Sequence, residues 1–434
     1  MLIDRSKRLW PHALKTGERG AVWIIGSILV GLMAVSFALA SDYVSKINQL
    51  IIHQYPYAPL LFMPAGFALL AYVGSRFFTG AQGSGIPQTI AATDAPEHIS
   101  VGYLLSWRIA AGKALLTLGG LGLGASIGRE GPTIQIGASI MHSFFGCRPF
   151  KNVASRRALI LAGGAAGIAA AFNAPLAGIM FAIEELSKRQ IFNASSPTAI
   201  TIIVSGLISL LMLGSYTYFG STETFVDWNG SIGIILLCGL IGGIAGGIFS
   251  RLFILITFHL PTSVANLIKH KYILFAALCG LMIALIGITT DGLTFGTGYA
   301  PTRLSLEGSA ELPWYFGIAK LAATLLSSVC GLPGGIFAPS LSVGAGLGDN
   351  LAAVMPMATD HSAIVLLVMT AYLSGVTRAP LTSFIICMEM TNGYHMLLPL
   401  MLAAVAASWF SKLISPVPLY HRLAEGFFRE KTLK

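Results

Sequence analysis

The sequence predicts an all-α polytopic membrane protein made of two related halves with broken helices. Three observations predict this fold class: the composition, an internal repeat, and glycine–proline breaks inside apolar sequence. Of the 434 residues, 55% are hydrophobic and only 10% are charged. A soluble chain of this length needs far more charge to cover its surface, so the composition favours a protein embedded in lipid.

Apolar runs recur along the whole chain. Several approach the length of about 20 residues that an α-helix needs to cross a bilayer, and others are shorter. The runs are 21–40, 60–73, 200–213, 232–249, 273–289, 364–373 and 397–407. This pattern predicts many helices in a membrane.

Both ends of the chain are basic, at residues 1–20 and 422–434, and no secretory signal precedes the first apolar run. The positive-inside rule therefore predicts two cytoplasmic ends that flank a transmembrane domain over residues 21–421. Attraction of these ends to an anionic inner leaflet accounts for the net charge of +9, so nucleic-acid binding is not expected.

The cysteines and histidines do not predict a metal or redox site. Five cysteines are scattered without a C-x-x-C pair, and nine histidines show no H-E-x-x-H motif. These are the spacings that bind metals or form redox pairs. We therefore expect no metal and no cofactor.

An internal repeat relates the two halves. Five glycine, alanine and proline residues over 124–138 recur in the same order over 331–345, at a constant separation of 207 residues (331 − 124). Lys113 and Lys320 match at the same separation. The match predicts a duplication, with a first repeat over about 21–218 and a second over about 231–421.

A second block extends the repeat. The tripeptide 174–176 (Ala-Pro-Leu) recurs at 379–381, 205 residues later (380 − 175), and the same separation matches Glu184 with Glu389. Duplicated halves of membrane transporters often have opposite topology and form a site where they meet. We therefore expect inverted repeats with a site at their interface.

Glycine–proline breaks interrupt the apolar sequence at 83–87, 128–132 and 331–339. Proline suits the first turn of a helix and disrupts the interior, so each break predicts a new helix that begins inside the membrane. Converging helix N-termini present unpaired N–H groups and the positive ends of their dipoles. The breaks therefore predict an anion site.

Two of these motifs supply candidate donors. In GSGIPQ (83–88) Ser84 offers a hydroxyl, and in GGIFAPS (334–340) the donors are the backbone N–H groups of Ile336 and Phe337. Backbone donors among apolar side chains suit a weakly hydrated halide. Each motif taken alone also fits an ordinary tight turn between packed helices.

Acidic residues occur in two apolar contexts. Burying a charge in a membrane costs several kcal/mol, so Glu130 in GREGP (128–132) is a candidate functional residue; the alternative is an ion pair with Arg129 that neutralises it. Glu184 and Glu185 lie near the end of an apolar run. For them a functional role and a solvated interfacial position are both open.

A further motif, GASIG (124–128), matches the G-x-S-x-G pattern of serine hydrolases. That pattern requires a strand–turn–helix context with acid and histidine partners. Ser126 lies in apolar helical sequence with no histidine nearby, so an intramembrane hydrolase is a remote alternative and we expect no enzyme.

Taken together, the motifs resemble those of the CLC family of chloride channels and chloride/proton antiporters. GSGIP (83–87), GREGP (128–132) and GIFAP (335–339) occur in the family's order, and the resemblance runs from about residue 21 to about residue 425. It implies a homodimer of subunits with two inverted repeats of tilted and broken helices. It also implies a prokaryotic type without CBS domains, in the bacterial inner membrane.

The resemblance implies two chloride sites. The hydroxyls of Ser84 and Tyr420 would hold a central chloride together with the backbone amides of Ile336 and Phe337. Backbone amides around Arg129–Gly131 would bind an outer anion together with the amides of Phe337 and Ala338.

The same resemblance implies two proton-carrying acids. Glu130 matches the gating glutamate, an anion that occupies a chloride site when ionised and leaves it when protonated. Glu185 matches the inner proton glutamate that exchangers carry and channels generally lack. These residues favour a chloride/proton antiporter, with a passive chloride channel as the alternative; Ser84 and Tyr420 argue against the fluoride-exporting branch.

One departure concerns the inner proton route. After Pro87 the chain reads Gln88-Thr89-Ile90, where some relatives carry acids. The resemblance therefore leaves open how protons reach Glu185.

Overall fold

A computed structural model of the chain describes residues 2–432 except 97, 148–149, 151, 188–196, 215–216, 221–223, 225–231, 310 and 356–359. Met1 and residues 433–434, the outer ends of the predicted terminal segments, lie outside the described residues. The described helices are α1 (Leu2–Gln54), α2 (Pro59–Phe77), α3 (Ile86–Asp94), α4 (Trp107–Gly122), α5 (Glu130–His142), α6 (Val153–Phe172), α7 (Pro175–Phe181), α8 (Pro197–Leu213), α9 (Ile232–Phe258), α10 (Thr262–His270), α11 (Tyr272–Thr289), α12 (Tyr299–Leu306), α13 (Phe316–Val329), α14 (Phe337–Val354), α15 (His361–Thr377), α16 (Pro380–Thr391), α17 (Leu397–Ile414) and α18 (Leu419–Thr432).

The helices account for the apolar runs. Every run recognised in the sequence falls inside one helix, and among the described residues five helical stretches are long and apolar enough to cross a membrane. They are Arg19–Gln54, Pro59–Phe77, Ile232–Phe258, Tyr272–Thr289 and Tyr394–Ile414. The predicted all-α membrane fold is confirmed.

Helix boundaries follow the sequence repeat. α5 and α14 begin 207 residues apart (337 − 130), and α7 and α16 begin 205 residues apart (380 − 175). Asn173 and Arg378, matched at that second separation, both end their helices with positive φ, of 53° and 59°. The two halves therefore break and restart their helices at equivalent positions.

The matched lysines anchor loops in both halves. Lys113 on α4 and Lys320 on α13 are fully buried. Lys113 donates from Nζ to the carbonyl of Gly83 at 2.8 Å, whereas Lys320 donates to the carbonyls of Thr294 and Gly296 at 2.8 and 2.7 Å. Each lysine thus provides hydrogen bonds that a buried, non-helical backbone requires.

The matched glutamates cap each other's half of the chain. Glu184 lies in the π-helical turn 182–186 that follows α7, and it accepts from the N–H groups of the second and third residues of α16 at 3.2 and 2.7 Å. Glu389 on α16 accepts from the N–H groups of the second and third residues of α7 at the same two distances. Glu184 is therefore a helix cap between the repeats, which answers one of the questions that the sequence left open.

Because the two caps have the same geometry, Glu184→Ala and Glu389→Ala are expected to destabilise the protein by similar amounts, about 1–3 kcal/mol each. The measurement is thermal unfolding of the purified protein in detergent. Glu425→Ala is the matched control, since the Glu425 side chain is 55% exposed and forms a surface ion pair with Arg422. Clearly unequal losses for the two caps would contradict the reciprocal arrangement.

Candidate anion and proton site

The three glycine–proline breaks meet inside the fold. Gly128 and Gly335 exchange two backbone N–H···O=C bonds of 2.7 Å, in antiparallel orientation, and the N–H of Gly334 donates to the carbonyl of Gly83 at 3.1 Å. α3, α5 and α14 begin directly after these loops. The N-termini of the three helices therefore converge, as the breaks predicted.

Glycine allows the loops to approach so closely. A Cβ atom at Gly131 would lie 2.6 Å from Oγ of Ser84, 2.7 Å from its carbonyl oxygen and 3.1 Å from Cα of Gly335. Gly85 has a φ of 106°, and a Cβ there would lie 2.4 Å from the carbonyl oxygen of Gly131. Side chains at these positions would push the helix N-termini apart.

The helix starts leave backbone donors available. The first bond within α5 runs from the N–H of Thr133 to the carbonyl of Arg129 (3.0 Å), and in α14 it runs from Ser340 to Ile336 (2.9 Å). The first two N–H groups of each helix therefore have no acceptor within their own helix. With the dipoles of three helices, these groups make the meeting point electropositive.

Two buried hydroxyls adjoin the meeting point. Oγ of Ser84 and the hydroxyl of Tyr420 are both buried without a hydrogen-bond partner among the described residues. They lie close to each other, and the Tyr420 ring packs edge-on against Phe337 with centroids 5.9 Å apart. Ile336, Phe337 and Ala338 are each at most 2% exposed. This chemistry suits a dehydrated anion.

Glu130 extends into the same region. The residue is fully buried, and its carboxylate folds back so that Oε2 would lie 2.1 Å from a Cβ atom at Gly128. The carboxylate faces its own N–H and that of Ala338. A carboxylate therefore lies in front of the α14 N-terminus, where an anion is stabilised.

Arg129 is held away from Glu130 by α1. Its Nη1 donates to Oδ1 of Asp42 and to the carbonyl of Ala38, both at 2.8 Å. Its guanidinium carbon lies 5.3 Å from the centroid of the Tyr218 ring. Among the described residues, Arg129 forms its ion pair with Asp42, and it stays within electrostatic range of Glu130. The structure therefore favours a shared guanidinium over the closed Arg129–Glu130 ion pair that the sequence allowed.

Glu185 is buried, at 1% exposure, in the π-helical turn. This excludes the solvated position that the sequence allowed. Nδ1 of His421 lies 3.1 Å from Oε1 of Glu185, close enough for an ion pair although the two are not aligned as a hydrogen bond. A narrow gap bounded partly by Glu185, Phe337, Thr382 and Tyr420 lies beside this contact.

The fold thus brings the predicted residues together around Tyr420, which lies within electrostatic range of both Glu130 and Glu185. Sequence reasoning missed two partners. Asp42 gives no local signal, because it lies 87 residues from Arg129. Gln88 accepts from the N–H of Gly85 at 3.0 Å, and its position three residues after the cap is a capping signal that could have been used.

Ser126 forms hydrogen bonds that connect two segments of the fold. Its hydroxyl is bonded to Oγ1 of Thr324 at 2.9 Å, and its N–H donates to Oγ of Ser327 at 3.0 Å. Both partners lie on α13, so Ser126 joins the loop before α5 to the other half of the chain.

The chain is similar in sequence to known proteins of one family. Residues 66–412 match the profile of the family described as voltage gated chloride channel. The H(+)/Cl(-) exchange transporter ClcA of Vibrio cholerae is 30% identical over 384 residues, which cover 85% of this chain and 80% of that protein. The ClcA of Yersinia pseudotuberculosis is 30% identical over 419 residues, covering 91% and 84%.

Solved structures share the fold. A slow cyanobacterial Cl⁻/H⁺ antiporter superposes with a TM-score of 0.78 at 24% identity and covers 95% of this chain and 98% of its own. A CLC-type fluoride/proton antiporter gives a TM-score of 0.76 at 22% identity, with 92% and 96% covered.

Gly128→Ala is expected to displace the Glu130 carboxylate, because the new Cβ would collide with Oε2 while Pro339, at 3.3 Å, has to yield only slightly. Chloride should then bind more tightly, and we expect the same direction of change for Glu130→Ala, when binding is measured by isothermal titration calorimetry. Gly131→Ala is the contrasting variant: its Cβ would meet the backbone of Ser84, so folded protein should be lost. Unchanged affinity in folded Gly128→Ala would show that the carboxylate does not compete with chloride.

Proposed function

Because the chain belongs to the voltage-gated chloride channel family, we propose that it is a chloride/proton antiporter of the membrane. The position of the Glu130 carboxylate, in front of the α14 N-terminus, carries this proposal. The names of the relatives, H(+)/Cl(-) exchange transporters, support exchange over a passive channel and favour a transporter over an enzyme.

Chloride binds at two positions along the path. The central ion lies between the hydroxyls of Ser84 and Tyr420 and accepts from the amides of Ile336 and Phe337. The two buried hydroxyls without protein partners support this site. The GSGIP motif (83–87) and Tyr420 support chloride over fluoride as the transported anion, although a fluoride/proton antiporter has a similar fold.

An outer chloride takes the place of the Glu130 carboxylate. It accepts from backbone amides at Arg129 and Gly131 and from those of Phe337 and Ala338. Ionised Glu130 occupies this position itself, and protonated Glu130 has no charge to hold it there. One side chain therefore blocks the anion path and carries the proton, which couples the two movements.

Glu185 carries protons on the inner side. Its carboxylate is buried and lies within electrostatic range of Tyr420, which in turn is within range of Glu130. A proton that reaches Glu185 is thereby brought closer to the Glu130 gate.

The deciding experiment is a reconstituted antiport assay. In vesicles, an imposed chloride gradient is expected to drive protons uphill, recorded with a pH electrode. Sustained chloride flux without proton movement would show that the chain is a passive channel instead.

Glu130→Gln is expected to keep chloride flux and lose both its proton coupling and its dependence on pH, because the amide has the shape of the protonated acid and cannot titrate. Paired chloride and proton recordings provide the measurement. Proton transport that persists in this variant would show that another residue is the gate.

Glu185→Gln is expected to reduce proton transport at least about tenfold while chloride transport continues, in the same paired assay. Glu184→Gln, at the neighbouring cap, is the matched control and should keep the coupling in the protein that remains folded. Equal loss of both fluxes in Glu185→Gln would indicate a structural role.

The assembly and location are part of the proposal. The protein forms a homodimer with one anion path in each subunit, lies in the bacterial inner membrane, and has both termini in the cytoplasm. Its basic ends, at residues 1–20 and 422–434, support this orientation. Cross-linking in native membranes tests the homodimer, and protease access to terminal tags tests the cytoplasmic position of both termini.

A further inference from the structure

Glu185 needs a route to water, and we propose that His421 provides it by exchanging protons between Glu185 and the solution beside α18. This inference rests on the proposed antiport and extends it by one residue. It answers the question that Gln88-Thr89-Ile90 leaves open, namely how protons reach Glu185.

The geometry suits proton exchange. Nδ1 of His421 is 3.1 Å from Oε1 of Glu185, and the histidine side chain is 24% exposed where that of Glu185 is 1% exposed. Nδ1 itself is buried, so the ring spans from the buried carboxylate to the surface. The exposed Arg422–Glu425 ion pair on the same helix indicates that this surface meets water.

Few other groups compete for this role. α18 packs against α3, α9 and α15. Besides His421, the titratable or charged residues on these helices, the π-helical turn and α18 itself are Asp94, Cys238, Arg251, His361, Tyr372, Glu184, Glu185, Tyr420, Arg422, Glu425, Arg429, Glu430 and Lys431. Among the ion pairs of the described residues, His421 pairs with Glu185.

Three of the charged residues on or near α18 have other partners. Arg251 donates to the carbonyl of Ile414, Glu184 caps α16, and Arg422 pairs with Glu425. On α3, residues 86–93 contain no titratable side chain. Histidine is the side chain that normally changes charge between about pH 5 and 8, so His421 has both the position and the chemistry.

The transfer is a simple proton exchange. The Nδ1–H bond of the imidazolium breaks as an Oε1–H bond forms, which converts the ion pair into a neutral imidazole and a carboxylic acid. After Glu185 has passed its own proton on, a ring flip turns the nitrogen that lost its proton to the surface, where it takes up a proton from water, and brings the ring's remaining N–H to face Oε1. The reverse sequence releases protons to the α18 side.

The test compares His421→Ala and His421→Gln with the unaltered protein in reconstituted vesicles. Coupled proton flux should fall at least about tenfold, and its dependence on pH at the α18 side should change. Imidazole added on that side should restore flux to His421→Ala. When the His421 substitutions are added to the Glu130→Gln variant, its chloride flux should not change. This comparison distinguishes a loss of proton exchange from misfolding.

His361→Ala is the matched control, because His361 forms a second histidine–carboxylate pair, with Asp349 at 2.9 Å. It should keep both the coupling and the pH profile. Unchanged proton flux and pH profile in His421→Ala, or failure of imidazole to restore the lost flux, would overturn the role of His421 while antiport stands. An unaltered protein that moves no protons uphill would instead refute the antiport itself.

Discussion

The backbone pairing of Gly128 with Gly335 is the contact on which the site depends. Two bonds of 2.7 Å join a loop from each half of the chain, and the available N–H groups of α5 and α14 follow directly. Non-helical backbone is tolerated at membrane depth only where it is buried in protein or lines a water-filled cavity. The pairing therefore has two effects: it provides hydrogen-bond partners for backbone groups in the helix breaks, and it brings the helix N-termini together.

Symmetric contacts hold this pairing in place. The reciprocal caps of Glu184 and Glu389 join α7 to α16 with the same pair of distances in each direction. Buried lysines anchor loops in both halves. A duplicated sequence thus stabilises its own interface twice, because each half supplies the acceptor that the other half lacks.

Function arises where this symmetry is broken. Glu130 in the first half matches Phe337 in the second (337 − 130 is the repeat separation of 207). One half therefore supplies a titratable carboxylate, and the other supplies backbone donors and an aromatic wall that packs against Tyr420. A tethered anion set before a helix N-terminus has the means to exchange places with a free one.

The sequence by itself determined the membrane fold, the repeat and the helix breaks, and it predicted Ser84, Glu130 and Tyr420 as site residues, because periodicity, proline position and short motifs are local properties. Only the tertiary structure decided the partners. It paired Arg129 with Asp42, made Glu184 a cap, buried Glu185 and set His421 against it. These contacts join residues that are far apart in the chain, and no local pattern encodes which distant side chain a buried charge will meet.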